Sequence, residues 1–350
     1  MENTITNYGI STKKLPKAQL EISAIVPAEV FASYQKKALE NIAKNIELPG
    51  FRKGHVPEKM LESRIGDAVI LEEMAELAIS RAYAEILIGE KIDALGRPEV
   101  RITKIAKGNP LEFTITTAIF PEVKLADYKK ISTAALKKKV VVEVADEEVE
   151  KTITEVKKMR AKNEAQASGK EFDETMILPE LTDDFVKTLG DYESVAHFTS
   201  RLKEDIGIQK ERDTRDKVRV SIMEELVNAS TIELPEIIID QELHRMEDEF
   251  AHEIERMGMK FDDYMKAAGK SKEDMQKEWL PDAEKRAKVQ LIASKIAETE
   301  KIHPSKEEIE SEVKMLRTQY PSASEERMTS YIEMLLTNEM VFKFLEQPAV

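Results

Sequence analysis

Gly50-Phe51-Arg52-Lys53-Gly54-His55-Val56-Pro57 sets an aromatic ring and two fixed cations on a segment punctuated by glycine. Gly50 and Gly54 reach backbone angles closed to other residues, and Pro49 and Pro57 turn the residues before them away from helix, so the stretch reads as a loop between helical segments. Two placements of Phe51 satisfy this chemistry: folded back into the core as part of an ordinary turn, or displayed to water. A displayed aromatic costs apolar hydration and marks a contact surface, and Arg52 and Lys53 beside it suit an acidic or phosphate-rich one.

Outward from the loop, both flanks carry the pattern of a small mixed domain. Residues 18–26 alternate apolar and polar side chains, with Leu20, Ile22 and Ala24 on one face, and predict a strand ending at Pro27. A helix follows, with an apolar stripe of Val30, Phe31, Tyr34, Ala38, Ile42 and Ile46. Beyond the loop a short helix starts at Glu58. A longer one runs from Asp67 to about Ile88, turning Ile70, Met74, Leu77 and Leu87 inward, with Gly89 as its stop. Residues 98–105 and 111–119 flank the turn Lys107-Gly108-Asn109-Pro110 and predict an antiparallel hairpin on which the helices pack.

Gly50 to Pro57, continued by Glu58-Lys59-Met60-Leu61 and the helix from Asp67, resembles the ribosome-binding signature of the trigger factor family, bacterial ribosome-associated chaperones. The surrounding order of elements is similar too, and the likeness resumes from about Leu178 to near the end of the chain. The resemblance implies an α+β fold. A small amino-terminal α/β ribosome-binding domain would span residues 1–120, an extended linker 121–145, and an elongated all-α chaperone domain with helical arms 146–350. It implies that Gly50, Phe51, Arg52, Lys53, Gly54, His55, Val56 and Pro57 dock the chain beside the polypeptide exit tunnel, against protein and RNA of the large ribosomal subunit. His55 departs from the lysine common in the family, and a largely neutral imidazole weakens the phosphate attraction there without removing it. The resemblance further implies ATP-independent holding of nascent and unfolded polypeptides, and a homodimer away from the ribosome.

From residue 121 to 144 the sequence is polar and basic, then valine-rich through Lys137-Lys138-Lys139-Val140-Val141-Val142, which reads as an extended linker. Val149, Ile153, Val156 and Met159 predict a helix over residues 146–160, with Asp146-Glu147-Glu148 at its positive end. A short polar loop then spans residues 161–177, including Ser168-Gly169-Lys170. In the commonest layout of the resembled family a peptidyl-prolyl isomerase domain is inserted here, and such a domain needs roughly a hundred residues to build its own core. The loop is far shorter, so neither that domain nor its catalysis is expected in this chain.

The remainder reads as almost wholly helical, over residues 194–228, 235–257, 261–267, 272–300, 305–320 and 324–344. Leu178-Pro179-Glu180, Leu234-Pro235-Glu236 and Leu280-Pro281-Asp282 each read as a helix start, because proline at a first helical position forfeits no hydrogen bond and the following acid suits the helix dipole. Fifteen methionines are many for 350 residues, and an unbranched thioether refills irregular gaps on an adaptable apolar surface. Met246, Met257, Met259, Met265 and Met275 cluster in one stretch of helices. Met246, Phe250, Met257, Met259 and Phe261 are the candidates for binding clients, with packing between helices as the competing role for each methionine.

Charged residues make up 34% of the chain and aromatics 6%, the balance of a helix-rich protein with large solvated faces. The absence of cysteine removes disulfides, thiolate catalysis and thiolate metal ligands, and suits a reducing cytoplasm. Met1-Glu2-Asn3-Thr4 leads into polar sequence without a secretory signal, and no run of about eighteen apolar residues occurs, so a cytoplasmic protein away from membranes is expected. The net charge of −14 is uneven: residues 1–130 carry 19 Lys and Arg against 18 Asp and Glu, so the acidic excess lies in the remainder, which bare nucleic acid would repel. Contact with RNA therefore falls to the amino-terminal part. His252-Glu253-Ile254-Glu255-Arg256 has arginine where a two-histidine zinc face needs its second histidine, and no glycine-rich phosphate cradle occurs. No metal, cofactor or nucleotide is expected. A free-standing chaperone or assembly scaffold of the same fold, without ribosome docking, is the alternative that the His55 departure leaves open.

Overall fold

The computed structural model describes residues 8–46, 58–138, 143–167, 178–321 and 323–347. By their contacts the residues gather into two compact units, Met1–Lys124 with Ser230–Lys295, and Leu125–Ala229 with Ile296–Val350. This grouping brings a carboxy-terminal stretch to the amino-terminal one, whereas a reading in chain order divides the sequence near residues 120 and 146.

The first unit opens with β1 (Ser11–Leu15), β2 (Gln19–Val26), α1 (Ala28–Ser33), α2 (Gln35–Asn45), α3 (Glu58–Ile65), α4 (Asp67–Glu90), β3 (Ala94–Lys104), β4 (Leu111–Ile119) and the two-residue β5 (Val123–Lys124). The four longer strands form one antiparallel sheet in the order β1-β2-β4-β3. The alternation expected for β2 is observed: Leu20, Ile22, Ala24 and Val26 turn inward, and the register sets Ile22 beside Ile115, Ala24 beside Phe113 and Val26 beside Leu111 on β4. Helices cover this face. Ile70, Met74, Ala75, Ala78, Ile79, Ala82 and Ile86 of α4 are buried with Phe31 of α1 and Leu39 and Ile42 of α2. The alanines let the helix approach closely, and each fully buried large side chain adds about 1.5–3 kcal/mol of transfer free energy.

Polar contacts fasten the layer. The Tyr83 hydroxyl donates to Thr117 Oγ1 at 3.0 Å, and Glu85 accepts from both the Tyr8 hydroxyl and Arg81 Nε at 2.8 Å. Three local details differ from the sequence reading. β1 is an additional strand, polar and exposed because it lies at the sheet edge. The first helix is split at Tyr34 into α1 and α2. Gly89 continues α4, which ends instead on Lys91 in the left-handed conformation at φ 53°.

The segment read as an extended linker contains a helix, α5 (Tyr128–Lys137). Asp127 caps it by accepting from the Lys130 N–H at 3.0 Å, and Ser132 and Ala135 are buried, so small residues rather than a broad apolar stripe seat it. There follow α6 (Asp146–Ala167), α7 (Asp183–Lys187) and α8 (Val195–Ala229). α6 runs past the Arg160 end expected for it. Next come β6 (Thr231–Ile232), which pairs with β5, then α9 (Glu236–Arg256), α10 (Phe261–Ala268), α11 (Lys272–Glu300), α12 (Lys306–Gln319) and α13 (Glu325–Leu345).

Of the three proline triplets, Pro235 caps α9, whereas Leu178-Pro179-Glu180 precedes α7 by several residues and Pro281 sits inside α11. Proline inside a helix forfeits one backbone hydrogen bond, and here the helix continues on both sides. In the second unit ion pairs tie the helices: Lys210 reaches Glu148 of α6 at 2.8 Å, and Arg219 of α8 forks onto Glu339 of α13 at 2.9 and 3.0 Å while also donating to Glu346. Arg219 is held more firmly protonated by these carboxylates, and Phe342 lies under it at 5.1 Å. The Tyr128 hydroxyl donates to Glu300 and is pushed up to about 12, first by burial and then by that bond.

Candidate functional site

The predicted docking residues, Gly50, Phe51, Arg52, Lys53, Gly54, His55, Val56 and Pro57, lie outside the described residues. Their flanks are well fixed. Leu39, Ile42 and Ala43 near the end of α2, and Leu61 of α3, are buried in the sheet-domain core, and Gln35 donates to Glu62 at 2.8 Å. Both stems of the segment are therefore anchored in the same core.

The predicted client residues fall where α9, α10 and α11 meet. α9 ends through a glycine: Gly258 takes φ 82°, its N–H reaches Glu255 O at 2.9 Å, and the Met259 N–H reaches Ile254 O at 3.2 Å. This paired closure needs a residue tolerant of positive φ. It leaves Met257 and Met259 on the turn, 66% and 47% exposed. α10 closes the same way on Gly269, at φ 64°.

Beneath the turn sits an aromatic cluster. Phe250 of α9 forms T-shaped pairs with Phe261, Tyr264 and Trp279, with ring centroids 6.2, 5.4 and 5.4 Å away and planes close to perpendicular. Edge-to-face pairs of this kind add roughly 0.5–1.5 kcal/mol each beyond burial. Ile254 of α9 and Met275 of α11 are buried. The five candidates thus differ in place: Met257 and Met259 are exposed, whereas Met246, Phe250 and Phe261 are half-buried. The sequence reading missed Tyr264 and Trp279. The spacing was available, Phe261 to Tyr264 and Met275 to Trp279 each placing two residues on one helix face, but which faces meet depends on contacts between separate helices.

Charges link α9 and α11. Lys272 reaches Glu247 at 2.5 Å, Arg286 reaches Glu249 at 2.8 Å, and both cations are held more firmly protonated by their carboxylates. Glu242 is buried between Arg245, which ion-pairs with it, and Arg286, 3.6 Å from Oε1. His244 and His252 each donate Nδ1–H to a backbone carbonyl four residues back, Asp240 at 2.6 Å and Asp248 at 2.7 Å. These are the contacts of exposed helix histidines. No helix among the described residues is long and apolar enough to cross a membrane.

The sequence matches the family described as "Bacterial trigger factor protein (TF)" over residues 9–156, and "Bacterial trigger factor protein (TF) C-terminus" over residues 194–349. The trigger factor of Lysinibacillus sphaericus (strain C3-41) is 27% identical over 383 aligned residues, covering 86% of this chain and 88% of that protein. The trigger factor of Streptococcus mutans serotype c is 24% identical over 420 aligned residues, covering 98% of this chain and 96% of that one. The latter alignment is longer than this chain of 350 residues, so that relative carries sequence with no counterpart here. A chain from the solved structure "Promiscuous Substrate Recognition in Folding and Assembly Activities of the Trigger Factor Chaperone" superposes with a TM-score of 0.56 at 16% identity, covering 97% of this chain and 100% of that one, a likeness of fold. The interval between the two matched stretches, residues 157–193, is too short for an additional core. With both parts of the family pattern present in order and together spanning most of the sequence, the chain belongs to the trigger factor family, in a form without the isomerase domain.

Proposed function

We propose that this member of a ribosome-associated chaperone family divides its work between two places. Residues 50–57 dock on the large ribosomal subunit, with Phe51 as the apolar contact and Arg52 and Lys53 facing phosphate. The turn between α9 and α10 holds nascent or unfolded polypeptide. The functional division follows the chain, residues 1–120 docking, 121–145 connecting and 146–350 holding. The observation that carries the holding role is the exposure of Met257 and Met259 on the turn that joins α9, which carries Phe250, to α10, which carries Phe261 and Tyr264. Two mobile thioethers on a firm base give a small adaptable apolar surface, and a client that buries its own apolar groups on folding outcompetes it without an energy source.

The chain acts by binding and not as an isomerase: α6 ends at Ala167 and α7 begins at Asp183, leaving no length for a catalytic core. The experiment is titration with a chemically unfolded protein, followed by the emission of Trp279, the single tryptophan of the chain. Emission that responds in the native chain, with affinity lowered in Met257→Ser/Met259→Ser, supports the assignment. Unchanged emission and affinity would move the client surface elsewhere.

A further inference from the structure

The sheet of the first unit ends in an edge that no other described strand pairs. β3 stands last in the order β1-β2-β4-β3 and is 11 residues long. Its register places Val100 beside Ile115 and Ile102 beside Phe113, so both side chains stand on the face that α4 covers. Ile115 and Phe113 are buried there, yet Val100 and Ile102 remain 43% and 40% exposed. They are exposed because a cleft of about 460 Å³ separates β3 from α4, floored by Ile79, Tyr83, Val100 and Ile102 and rimmed by Glu72 and Glu76. Both carboxylates are exposed, and neither has a hydrogen bond or ion pair among the described residues.

Each feature specifies part of an occupant. The outer N–H and C=O groups of an edge strand take the main chain of an extended segment. Half-exposed apolar residues two positions apart take apolar side chains at alternate positions. Two unpaired carboxylates one helical turn apart take a cation. A second copy of this chain fits poorly, because continuing the sheet through β3 would bring the Glu72 and Glu76 rims of two α4 helices to the same face. We propose that β3 and α4 form a second polypeptide-binding surface, which adds an extended client segment as a strand and prefers alternating apolar and basic residues. Pro98 has no N–H to give, so pairing is confined to residues 99–104. The identity of the occupant rests on the chaperone reading, but the site does not depend on the α9–α10 turn.

The test is fluorescence anisotropy of a labelled peptide of alternating valine and lysine, titrated with the full chain. Binding should fall at least about tenfold in Ile102→Asp, an exposed-edge change checked for folding by circular dichroism, and about as much when alternate peptide amides are N-methylated. Glu72→Gln/Glu76→Gln, which alters only exposed side chains, should weaken binding severalfold and flatten its salt dependence. Met257→Ser/Met259→Ser should leave the part of the binding that Ile102→Asp removes unchanged, which separates failure here from failure at the turn. No binding by the native chain, equal binding of the N-methylated peptide, or sensitivity only to the methionine variant would overturn the proposal. So would self-association in sedimentation that Ile102→Asp abolishes while peptide affinity is kept, since the edge would then belong to a second copy.

Discussion

The sheet core of the first unit and the turn between α9 and α10 use the same class of side chain to opposite ends. Around β2 and β4, Ile22, Phe31, Phe113 and Ile115 are buried completely, and a broad apolar face is closed by α1, α2, α3 and α4. At the turn, Phe250 and its aromatic neighbours make a base that is only half-buried, and the methionines above it stay in water. Shielding converts apolar area into stability. In the proposed holding role, leaving it open turns the same area into a surface for a client.

The contrast can be broken at several strengths. Phe113→Ala, in the closed core, should lower unfolding free energy by about 3–5 kcal/mol in urea titration. Phe250→Ala should cost less, about 1–2 kcal/mol, because its site is open enough to relax, and should shift Trp279 emission where Phe113→Ala in the still-folded chain does not. Gly258→Ala should cost about 1 kcal/mol, from placing a side chain at φ 82°, with no clash to add since nothing stands within 4 Å of the new Cβ. Met257→Ser/Met259→Ser should change stability by under about 0.5 kcal/mol while weakening client binding, the signature of a surface kept for contact.

A smaller test lies in the second unit. Tyr128 titrates at about 12 when folded and near 10 when unfolded, so its contribution is complete below pH 10 and is lost as pH rises toward 12. Denaturation at pH 9 and pH 11.5 should show a steeper loss in the native chain than in Tyr128→Phe.

What the sequence made legible follows its periodicity. β2 and β4 alternate because one face is covered, and the buried Ile70, Met74, Ala78, Ala82 and Ile86 of α4 recur every four residues for the same reason. β1 and α5 were not legible. Ser11–Leu15 is polar at an edge where nothing selects an apolar face, and α5 seats itself on Ser132 and Ala135, residues that carry little pattern. Pro281 misled because a proline followed by an acid is equally written at a helix start and inside a helix that tolerates a missing bond. At the turn, the exposed methionines could be picked out as a cluster, but Tyr264 and Trp279 become partners of Phe250 only once three separate helices pack together.

The separation of docking from holding is tested most directly by the Phe51→Ala/Arg52→Ala/Lys53→Ala variant, assayed for cosedimentation with purified ribosomes across salt concentrations and for suppression of aggregation of an unfolded protein without ribosomes. The expected result is salt-sensitive sedimentation of the native chain, its loss in the variant, and equal suppression by both. Sedimentation of the folded variant at native strength, or loss of suppression together with docking, would contradict the division.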